Sequence, residues 1–330
     1  MKICLVCSSG GHLIEMKSLK QAFQSHEIFL ITYKEEFSTC YNKIKKLYLI
    51  KNFLVNNLEA NFLKKNFFVF LQLLLIGIYE LKIFLKEKPD VVVSTGSEIA
   101  IPIFYMAKVF RKKIIFIESL CRIKSISNTG KIVYPITDLF LVQWSSLQKK
   151  YNKAIFEGNT LFLDSKKIKE KPKGNYILVT VGTAPFPRLI KKMDEIAGNI
   201  NRPIIMQIGN TDYKPKNTEY FAFQDFSKIV ELTENAYAVV SHAGVGTILT
   251  TFQSGKNIIL VPRSKRLKET NSDNHQLEIC KELENAYNAN VIYDLEDLEY
   301  ELKKLNSIEF KKTKENSDII RYLSNYLKGK

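Results

Sequence analysis

The sequence is poor in the residues that build disulfide scaffolds and metal clusters. Its 330 residues include five cysteines, an odd number scattered along the chain, and four histidines. Cys4 and Cys7 have the C-x-x-C spacing of a redox or zinc site, but no second pair follows and a predicted strand runs through both. The cysteines therefore favour a reducing cytoplasm, and we expect neither a metal nor a cofactor.

Acidic residues are few relative to basic ones. The chain has 49 Lys and Arg against 34 Asp and Glu, a formal charge of +15. Such an excess predicts an anionic partner: nucleic acid, a membrane surface or a phosphorylated substrate. A non-enzymatic nucleic-acid-binding protein is one alternative. However, the charge is spread as lysine, without a known binding module or an RNP-type aromatic string, so we expect no nucleic-acid partner.

Uninterrupted apolar segments of membrane-spanning length are also lacking. The apolar run 67–85 carries Gln72, Glu80 and Lys82, which would be costly inside lipid. Met1 and Lys2 lead directly into a predicted strand, so we expect no signal peptide. The segment 43–88 interleaves lysines with Phe and Leu, which fits either a helix on an anionic membrane surface or a core helix with a solvated lysine face.

Short apolar runs alternate with helical stretches, which is typical of parallel α/β architecture. The length suits two domains of about 150 residues each. We predict an α/β protein with domains 1–163 and 176–310, a lysine-rich linker 164–175 and a C-terminal helical segment 311–330. Ligands of two such domains would bind in a cleft at the carboxyl ends of both sheets.

The predicted strands of the first half are Ile3–Cys7, Ile28–Thr32, Val91–Ser94, Ile114–Ile117 and Leu139–Gln143. Those of the second half are Tyr176–Val181, Ile204–Ile208, Ala238–Ser241, Ile258–Val261 and Asn290–Tyr293. The predicted helices include Leu13–Gln24, Phe67–Lys86 and Asp318–Leu327.

The first motif, Ser8-Ser9-Gly10-Gly11-His12, follows the first predicted strand and opens a helix. Glycines permit a tight turn, and the helix N-terminus offers unpaired amides to a phosphate or oxyanion. The pattern is not G-x-G-x-x-G, so a dinucleotide site is not supported. His12 is placed to act as a general base, or it bonds only to its own loop.

Two further strand ends in the first half carry polar residues. Thr95 and Gly96 follow one predicted strand, and Glu118 ends the next, with Arg122 and Asn128 in the loop beyond. Carboxyl ends of parallel strands are where ligands bind in this architecture, and the loop offers donors to phosphate or sugar hydroxyls. An ordinary polar loop before a capped helix is the other interpretation.

The second half repeats this pattern at four strand ends. The glycine-rich string Ser241–Thr247 lies between a strand and a helix, the form expected of a diphosphate held on backbone amides, although a tight βα connection would look similar. Arg263 could neutralise diphosphate charge, and Asn274 could cap a helix. The candidate donor-binding residues are Gly182, Thr183, Gln207, Ser241, His242, Gly244, Gly246, Thr247, Arg263, Asn274, His275 and Gln276.

Taken together, these motifs resemble a known family. The strings SSGGHLIEM, STGSEIAIPIFYMAKVFRKKIIFIES and TGKIVYPITDLFLVQW resemble the acceptor-side, membrane-recruiting subunit of the two-component transferase that adds the second N-acetylglucosamine in the dolichol pathway. VTVGTAPFPRLI, SHAGVGTILTTF and DNHQLEI resemble its UDP-sugar-binding partner subunit. Bacterial exopolysaccharide transferase pairs are similar, and all are related to MurG of glycosyltransferase family 28. The chain looks like a fusion of the two subunits.

The resemblance implies a GT-B fold, two Rossmann-like domains facing across a cleft. It implies inverting, metal-independent transfer of GlcNAc, glucose, galactose or glucuronic acid from a UDP-sugar to a polyprenyl-diphosphate-linked sugar, on the inner face of the cell membrane. Other polysaccharide-assembly proteins would be further partners. A UDP-GlcNAc 2-epimerase, which shares architecture and donor motifs, is the alternative enzyme.

By the same resemblance, His12 is the base and Glu118 lies beside the acceptor. Ser9, Gly10, Gly11, Thr95, Gly96, Arg122 and Asn128 would bind the acceptor or its phosphates. The glycine-loop residues and Gln276 would contact the UDP-sugar. Many relatives carry a glutamate after the glycine loop that is assigned to the ribose, and here the matching position is Thr250.

Overall fold

The computed structural model describes residues 1–34, 46–51, 62–161, 174–270, 274–305 and 318–329, with the side chains of 62–70 excepted. The chain divides into two compact units. The first comprises Met1–Thr160 together with Ser317–Lys330, and the second comprises Leu161–Asn316. Most of the predicted linker, 164–173, lies outside the described residues.

The first unit is built on a parallel sheet of seven strands in the order β3-β2-β1-β4-β5-β6-β7. The strands are β1 Lys2–Cys7, β2 Glu27–Tyr33, β3 Leu47–Ile50, β4 Val91–Gly96, β5 Lys113–Ile117, β6 Leu139–Val142 and β7 Ala154–Phe156. The helices between them are α1 Gly11–Ser18, α2 Phe62–Glu87, α3 Ala100–Val109, α4 Asn128–Val133 and α5 Ser145–Gln148.

The second unit has a parallel sheet of six strands in the order β10-β9-β8-β11-β12-β13. The strands are β8 Ile177–Thr180, β9 Ile204–Gln207, β10 Glu219–Phe221, β11 Ala238–Ser241, β12 Asn257–Leu260 and β13 Asn290–Val291. The helices are α6 Pro187–Glu195, α7 Phe226–Asn235, α8 Val245–Gln253, α9 His275–Tyr287 and α10 Leu298–Lys304.

The central strands of both sheets are buried along nearly their whole length, which explains their apolar composition. Parallel strands covered by helices on both faces are continuous rather than alternating in hydrophobicity. In each sheet the strand order reverses beside the first strand, between β1 and β4 in one unit and between β8 and β11 in the other. Such reversals separate the loops that follow neighbouring strands and leave a crevice at the carboxyl edge.

The last helix, α11 Ile319–Leu327, belongs to the first unit although it ends the chain. It packs on the 3-10 turn Lys20–Phe23, and the Nζ atom of Lys113 lies 5.5 Å from the centre of the Tyr326 ring. Ile319, Leu323 and Leu327 are buried there. The C-terminal segment predicted from residue 311 is helical within 319–327, and residues 306–317 lie outside the described part of the chain.

Helix α2 packs on the core through Ile76, Ile83 and Phe84, but it also buries polar side chains and exposes many apolar ones. Gln72, Glu80 and Glu87 are buried, with exposed fractions of 3%, 0% and 5%. The apolar outer face of α2 consists of side chains that are 38–57% exposed: Leu71, Leu74, Leu75, Ile78, Tyr79, Leu81 and Leu85. Lys82 and Lys86 are exposed on the same helix, so both interpretations of this segment, a membrane-surface helix and a core helix with a solvated lysine face, stay open. No helix among the described residues is both long and apolar enough to span a bilayer.

Candidate functional site

The first candidate site surrounds His12 at the reversal between β1 and β4. Gly10 precedes α1 with φ 73° and ψ −133°, a conformation that glycine adopts without steric cost. The turn sets His12 against the end of β4, where the Nδ1 atom of His12 lies 2.8 Å from the Thr95 carbonyl oxygen. The Thr95 hydroxyl donates in return to the His12 carbonyl, at 2.7 Å. His12 and Thr95 therefore lie in direct contact, and the hydroxyl of Thr95 stabilises the loop that carries His12.

The position of the His12 ring leaves no room for a side chain at residue 96, which is glycine. Its φ is +125°, and a Cβ built there would lie 2.7 Å from Cε1 of His12. The imidazole therefore packs directly on the backbone of β4. His12 keeps 31% of its side chain exposed, so one edge of the ring remains open to solvent or ligand.

Glu15 is a site residue that the motif analysis missed. One turn of α1 after His12, it is 1% exposed, and its Oε2 lies 3.4 Å from the Nδ1 of His12. Burial lowers the pKa of His12, but the close carboxylate of Glu15, with smaller contributions from Glu118 and Thr95, outweighs burial and raises it above its usual value. The H-x-x-E spacing, which puts both residues on one helix face, was the available signal.

Glu118 lies near His12 but is enclosed by its own loop. It is 1% exposed, its Oε1 accepts from the Ser119 amide at 2.9 Å, and its Oε2 accepts from the amide and hydroxyl of Ser127 at 2.8 and 3.1 Å. Burial raises its pKa, and these donors oppose the rise. Its carboxylate therefore shapes the loop that leads into α4, and its place beside the acceptor stays a prediction.

The other site residues predicted in the first unit differ in exposure. Ser9 is buried, Gly11 and Arg122 are partly buried, and Gly10 and Asn128 are exposed. Ser127, rather than Asn128, caps α4, since its hydroxyl accepts from the Gly130 amide at 2.9 Å. The β1 thiols are buried, and burial raises the pKa of Cys7 to about 12, consistent with core packing. Among the described residues, no cluster of metal-ligating side chains could hold an ion.

The second candidate site surrounds His242 at the reversal between β8 and β11. The ring lies between Gly182 and Gly244, where an added Cβ would overlap its edge. His242 is 9% exposed, and burial, together with the charge of Arg263, lowers its pKa to about 3. His242 is therefore a neutral packing element that joins two glycine loops, and it leaves both backbones accessible.

The N-terminus of α8 presents backbone amides beside these glycines. The first helical hydrogen bond runs from the Ile248 amide to the Gly244 carbonyl at 3.0 Å, so the amides of Val245, Gly246 and Thr247 precede the helical ladder. The Gly244 amide donates to the His242 carbonyl at 2.8 Å. The backbone amides available to the predicted diphosphate site therefore begin at Val245.

Ser241 and Gln207, two residues predicted to bind the UDP-sugar, make hydrogen bonds within the protein. Ser241 is fully buried and donates its hydroxyl to the His242 carbonyl at 2.7 Å. Gln207 accepts from the Thr180 hydroxyl and Gly182 amide at 2.6 and 3.0 Å, and it donates to the carbonyls of Gly182 and Ala222. Both side chains hold the loops in place, and their contact with the donor stays a prediction.

Arg263 is a buried cation that braces the loop after β8. Its Nη2 donates to the carbonyls of Val181 and Ala184, each at 2.7 Å, and its side chain is 6% exposed. Burial lowers its pKa to about 10, which leaves it charged at neutral pH. Its Nε is buried without a hydrogen-bond partner among the described residues. Arg263 can therefore act on a nearby anion through its charge.

The start of α9 contacts the loop after β12, which carries Arg263. Oε1 of Gln276 accepts a hydrogen bond from the Arg263 amide at 2.9 Å. His275 and Gln276 are partly buried, and Asn274 is exposed. Asn274 occupies the N-cap position, but its side chain makes no capping hydrogen bond, so the expected cap is wrong. Thr183 is exposed and Thr247 partly buried. Thr250 donates to the Gly246 carbonyl at 2.8 Å, within its own helix.

An ion pair fixes the loop that carries Arg263. Nε of Arg188 lies 2.6 Å from Oε1 of Glu269, and Oε2 of Glu269 accepts from the Ser264 amide at 2.8 Å. The motif analysis did not find this pair, because 81 residues separate its members and no local pattern links them.

Comparison with known proteins matches a different family model to each half of the chain. The family model for oligosaccharide biosynthesis protein Alg14 like matches residues 3–160, and that for the glycosyltransferase family 28 C-terminal domain matches residues 176–322. The chain is a fusion of an Alg14-like domain with a family 28 C-terminal domain. The resemblance seen in the sequence is confirmed.

Individual relatives match each domain over part of their length. The human UDP-N-acetylglucosamine transferase subunit ALG14 is 37% identical over 79 residues, 22% of this chain and 37% of the relative. The human subunit ALG13 is 32% identical over 121 residues, 32% of this chain and 10% of the relative. The aligned part thus spans well under half of either relative.

Solved structures match nearly the whole chain at low identity. The Methanocaldococcus jannaschii UDP-GlcNAc 2-epimerase has a TM-score of 0.61 at 15% identity, covering 98% of this chain and 99% of its own. MurG of Acinetobacter baumannii has a TM-score of 0.57 at 13% identity, covering 100% and 95%. These likenesses establish the fold, and the predicted GT-B fold is confirmed.

Proposed function

We propose that the chain is an inverting, metal-independent glycosyltransferase that moves a sugar from a UDP-sugar to a polyprenyl-diphosphate-linked sugar. The observation that carries the proposal is the bond from Nδ1 of His12 to the Thr95 carbonyl. A carbonyl only accepts, so Nδ1 bears the hydrogen and the Nε2 lone pair of neutral His12 is free to take a proton. The relatives' names make UDP-GlcNAc the first donor to test, with UDP-glucose, UDP-galactose and UDP-glucuronic acid after it.

The proposed step is a single displacement. The acceptor hydroxyl gives its proton to Nε2 of His12, its oxygen forms a bond to the anomeric carbon, and the bond from that carbon to the UDP oxygen breaks with its electron pair leaving on UDP. Inversion follows from attack opposite the leaving group. General-base catalysis of this kind contributes about 10²–10⁴-fold.

In the family 28 domain, the leaving diphosphate would be stabilised by the amides of Val245, Gly246 and Thr247. Helix N-termini favour anions through these unpaired donors and the helix dipole. The buried charge of Arg263 adds an electrostatic contribution that needs no metal. Gly182 and the exposed Thr183 would line the same donor site.

The direct test offers radiolabelled UDP-sugars one at a time, with a membrane lipid extract, and measures label that partitions into organic solvent. The wild type should label lipid with one donor. His12→Ala should reduce turnover by about 10²–10⁴-fold. His26→Ala, which removes a histidine distant in sequence from both motifs, is the matched control and should match the wild type. Near-wild-type turnover by His12→Ala would refute the base assignment.

The same assay separates the transferase from a UDP-GlcNAc 2-epimerase. An epimerase needs no lipid, and it would release UDP and free sugar, or convert the nucleotide sugar, without an acceptor. Product that forms only when lipid is present supports transfer. Conversion of UDP-GlcNAc in the absence of lipid would overturn it.

We further propose that the Alg14-like domain docks on an anionic membrane leaflet through the apolar outer face of α2. This face is exposed, and Lys82 and Lys86 lie beside it on the same helix. A groove of about 360 Å³ runs between α2 and β3, with Lys51 among its lining residues. Interfacial binding is stabilised by apolar side chains buried in the acyl region and by lysines that contact anionic headgroups.

Flotation with liposomes that contain anionic lipid tests the docking surface. The wild type should float at low salt, and the variant Leu74→Glu with Ile78→Glu should remain with the soluble fraction. Tyr300→Glu, which changes an exposed aromatic residue on α10, is the control and should float like the wild type. Equal flotation of both variants would reject this face.

A further inference from the structure

Among the buried ionisable groups, Glu15 has one oxygen fully engaged and the other directed at His12. Its Oε1 accepts from the Leu120 amide at 2.6 Å and from the Ser119 hydroxyl and Gln143 amide group, each at 3.2 Å. Its Oε2 is buried, makes no hydrogen bond of ordinary geometry among the described residues, and lies 3.4 Å from Nδ1 of His12.

We infer that Glu15 is the positioning residue of His12: its carboxylate fixes the ring and stabilises the imidazolium that forms when the acceptor is deprotonated. The inference rests on the proposed function, because it assigns His12 the role of base. Thr95 selects the Nδ1-protonated tautomer, since its carbonyl accepts a hydrogen bond from Nδ1 of His12. Glu15 supplies the negative charge that a carbonyl lacks, at a site where little water screens it.

Gln143 keeps the carboxylate in this orientation. Its amide donates to Oε1 of Glu15 and to the Glu118 carbonyl, while its own oxygen accepts from the amide and hydroxyl of Thr160, at 3.0 and 2.8 Å. Gln143 is 1% exposed. Three donors on Oε1 prevent the carboxylate from rotating away, so Oε2 remains next to the imidazole.

Other ionisable groups also lie near the His12 ring, and their effects on its pKa must be distinguished from that of Glu15. Glu118, after β5, contributes to the raised pKa of His12, and Arg122 partly offsets the charge of Glu118. The Cys7 thiol at the end of β1 is buried, and its pKa of about 12 keeps it neutral. Glu118 differs from Glu15 in that both of its oxygens accept hydrogen bonds from their own loop.

The test is proton NMR titration of the histidine ring signals in the full-length protein, with the His12 signal assigned by its loss in His12→Ala. Glu15→Gln should lower the pKa of His12 by about 1–3 units, the shift expected when a close opposite charge is removed. Glu118→Gln should lower it less. Glu15→Asp, which keeps the charge, should give an intermediate value.

Sugar transfer gives the second readout. The acidic limb of the kcat profile should move to lower pH in Glu15→Gln, with the plateau reduced by roughly tenfold or more because the base is weaker. An unchanged His12 pKa in Glu15→Gln would overturn the inference, even if His12→Ala abolished transfer. If Glu15→Gln does not fold, Glu15→Asp decides: an unchanged His12 pKa and pH profile would also overturn it. Wild-type transfer by His12→Ala would instead refute the role of His12 as the base, and no lipid labelling by the wild type with any UDP-sugar would defeat the proposed function.

Discussion

At the scale of single residues, the two histidines at the sheet reversals show how surroundings set protonation. His12 is partly exposed and lies 3.4 Å from a carboxylate, so its pKa is raised. His242 is buried between two glycines near a cation, so its pKa falls to about 3. The sequence offered both as candidates, since each adjoins a glycine loop. The charged neighbours of each ring, Glu15 for His12 and Arg263 for His242, account for the opposite shifts of the two pKa values.

The buried His242 should make the protein sensitive to acid. Its folded pKa lies below the usual value near 6.5, so the unfolded chain binds a proton that the folded chain rejects between about pH 6.5 and 3. Stability is therefore lost as the pH falls through this window. In His242→Gln the free energy of unfolding should change with pH by up to about 1.4 kcal/mol less per unit, measured by urea denaturation. Identical pH slopes in both proteins would contradict this explanation.

The contact between Gly96 and His12 should be intolerant of a methyl group. A Cβ at Gly96 would lie 2.7 Å from the ring, at a φ that side chains rarely adopt, so Gly96→Ala must displace His12. We expect lipid labelling to fall by about 10–100-fold, since small displacements of reacting groups have effects of this size. Gly198→Ala, where no atom lies within 4 Å of the added Cβ, is the control. Equal activity of both variants would show that the ring position does not matter.

At the scale of elements, the central strands could be predicted and the edges could not. All ten predicted strands exist, because buried parallel strands are continuous apolar runs. The short strands β3, β7 and β10 were missed, since their four or three residues carry little pattern. The predicted helix Leu13–Gln24 divides into α1 and a 3-10 turn, and the last predicted strand is confined to Asn290–Val291.

Helix α2 carries a buried carboxyl group whose ionisation opposes folding. Burial raises the pKa of Glu80 well above its usual range. Above about pH 4.3 the unfolded chain releases this proton while the folded chain retains it, so stability falls as the pH rises. Glu80→Gln should therefore gain stability relative to the wild type between pH 5 and 8, by about 1–3 kcal/mol over that interval, measured by chemical denaturation. A constant difference between the two proteins across this range would refute it, and Glu195→Gln on the surface is the control.

At the scale of the whole molecule, the chain returns to its first unit after completing the second. The sequence predicted α11 as an amphipathic helix, but its partner could not be predicted, because any apolar surface would satisfy an apolar stripe. Leu323 is fully buried against the first unit. Leu323→Ala should destabilise that unit by about 2–5 kcal/mol and leave the affinity for UDP unchanged, as measured by calorimetry. Asn325→Ala, on the exposed side of α11, should change neither the stability nor the affinity for UDP. A loss of UDP affinity in Leu323→Ala would contradict this assignment.

Titration calorimetry of uridine nucleotides tests the central claim most directly, since amides at the start of α8 are proposed to hold the diphosphate. Val245→Pro removes one such amide at the first helical position, where proline is tolerated, and Gly244 is already extended. Val245→Ala keeps the amide. We expect UDP to bind the wild type and Val245→Ala with equal affinity. It should bind Val245→Pro about 10–100-fold more weakly, which is the loss expected when one hydrogen bond to a charged group is removed. Failure of the folded wild type to bind any uridine nucleotide, or equal affinity in both variants, would contradict it.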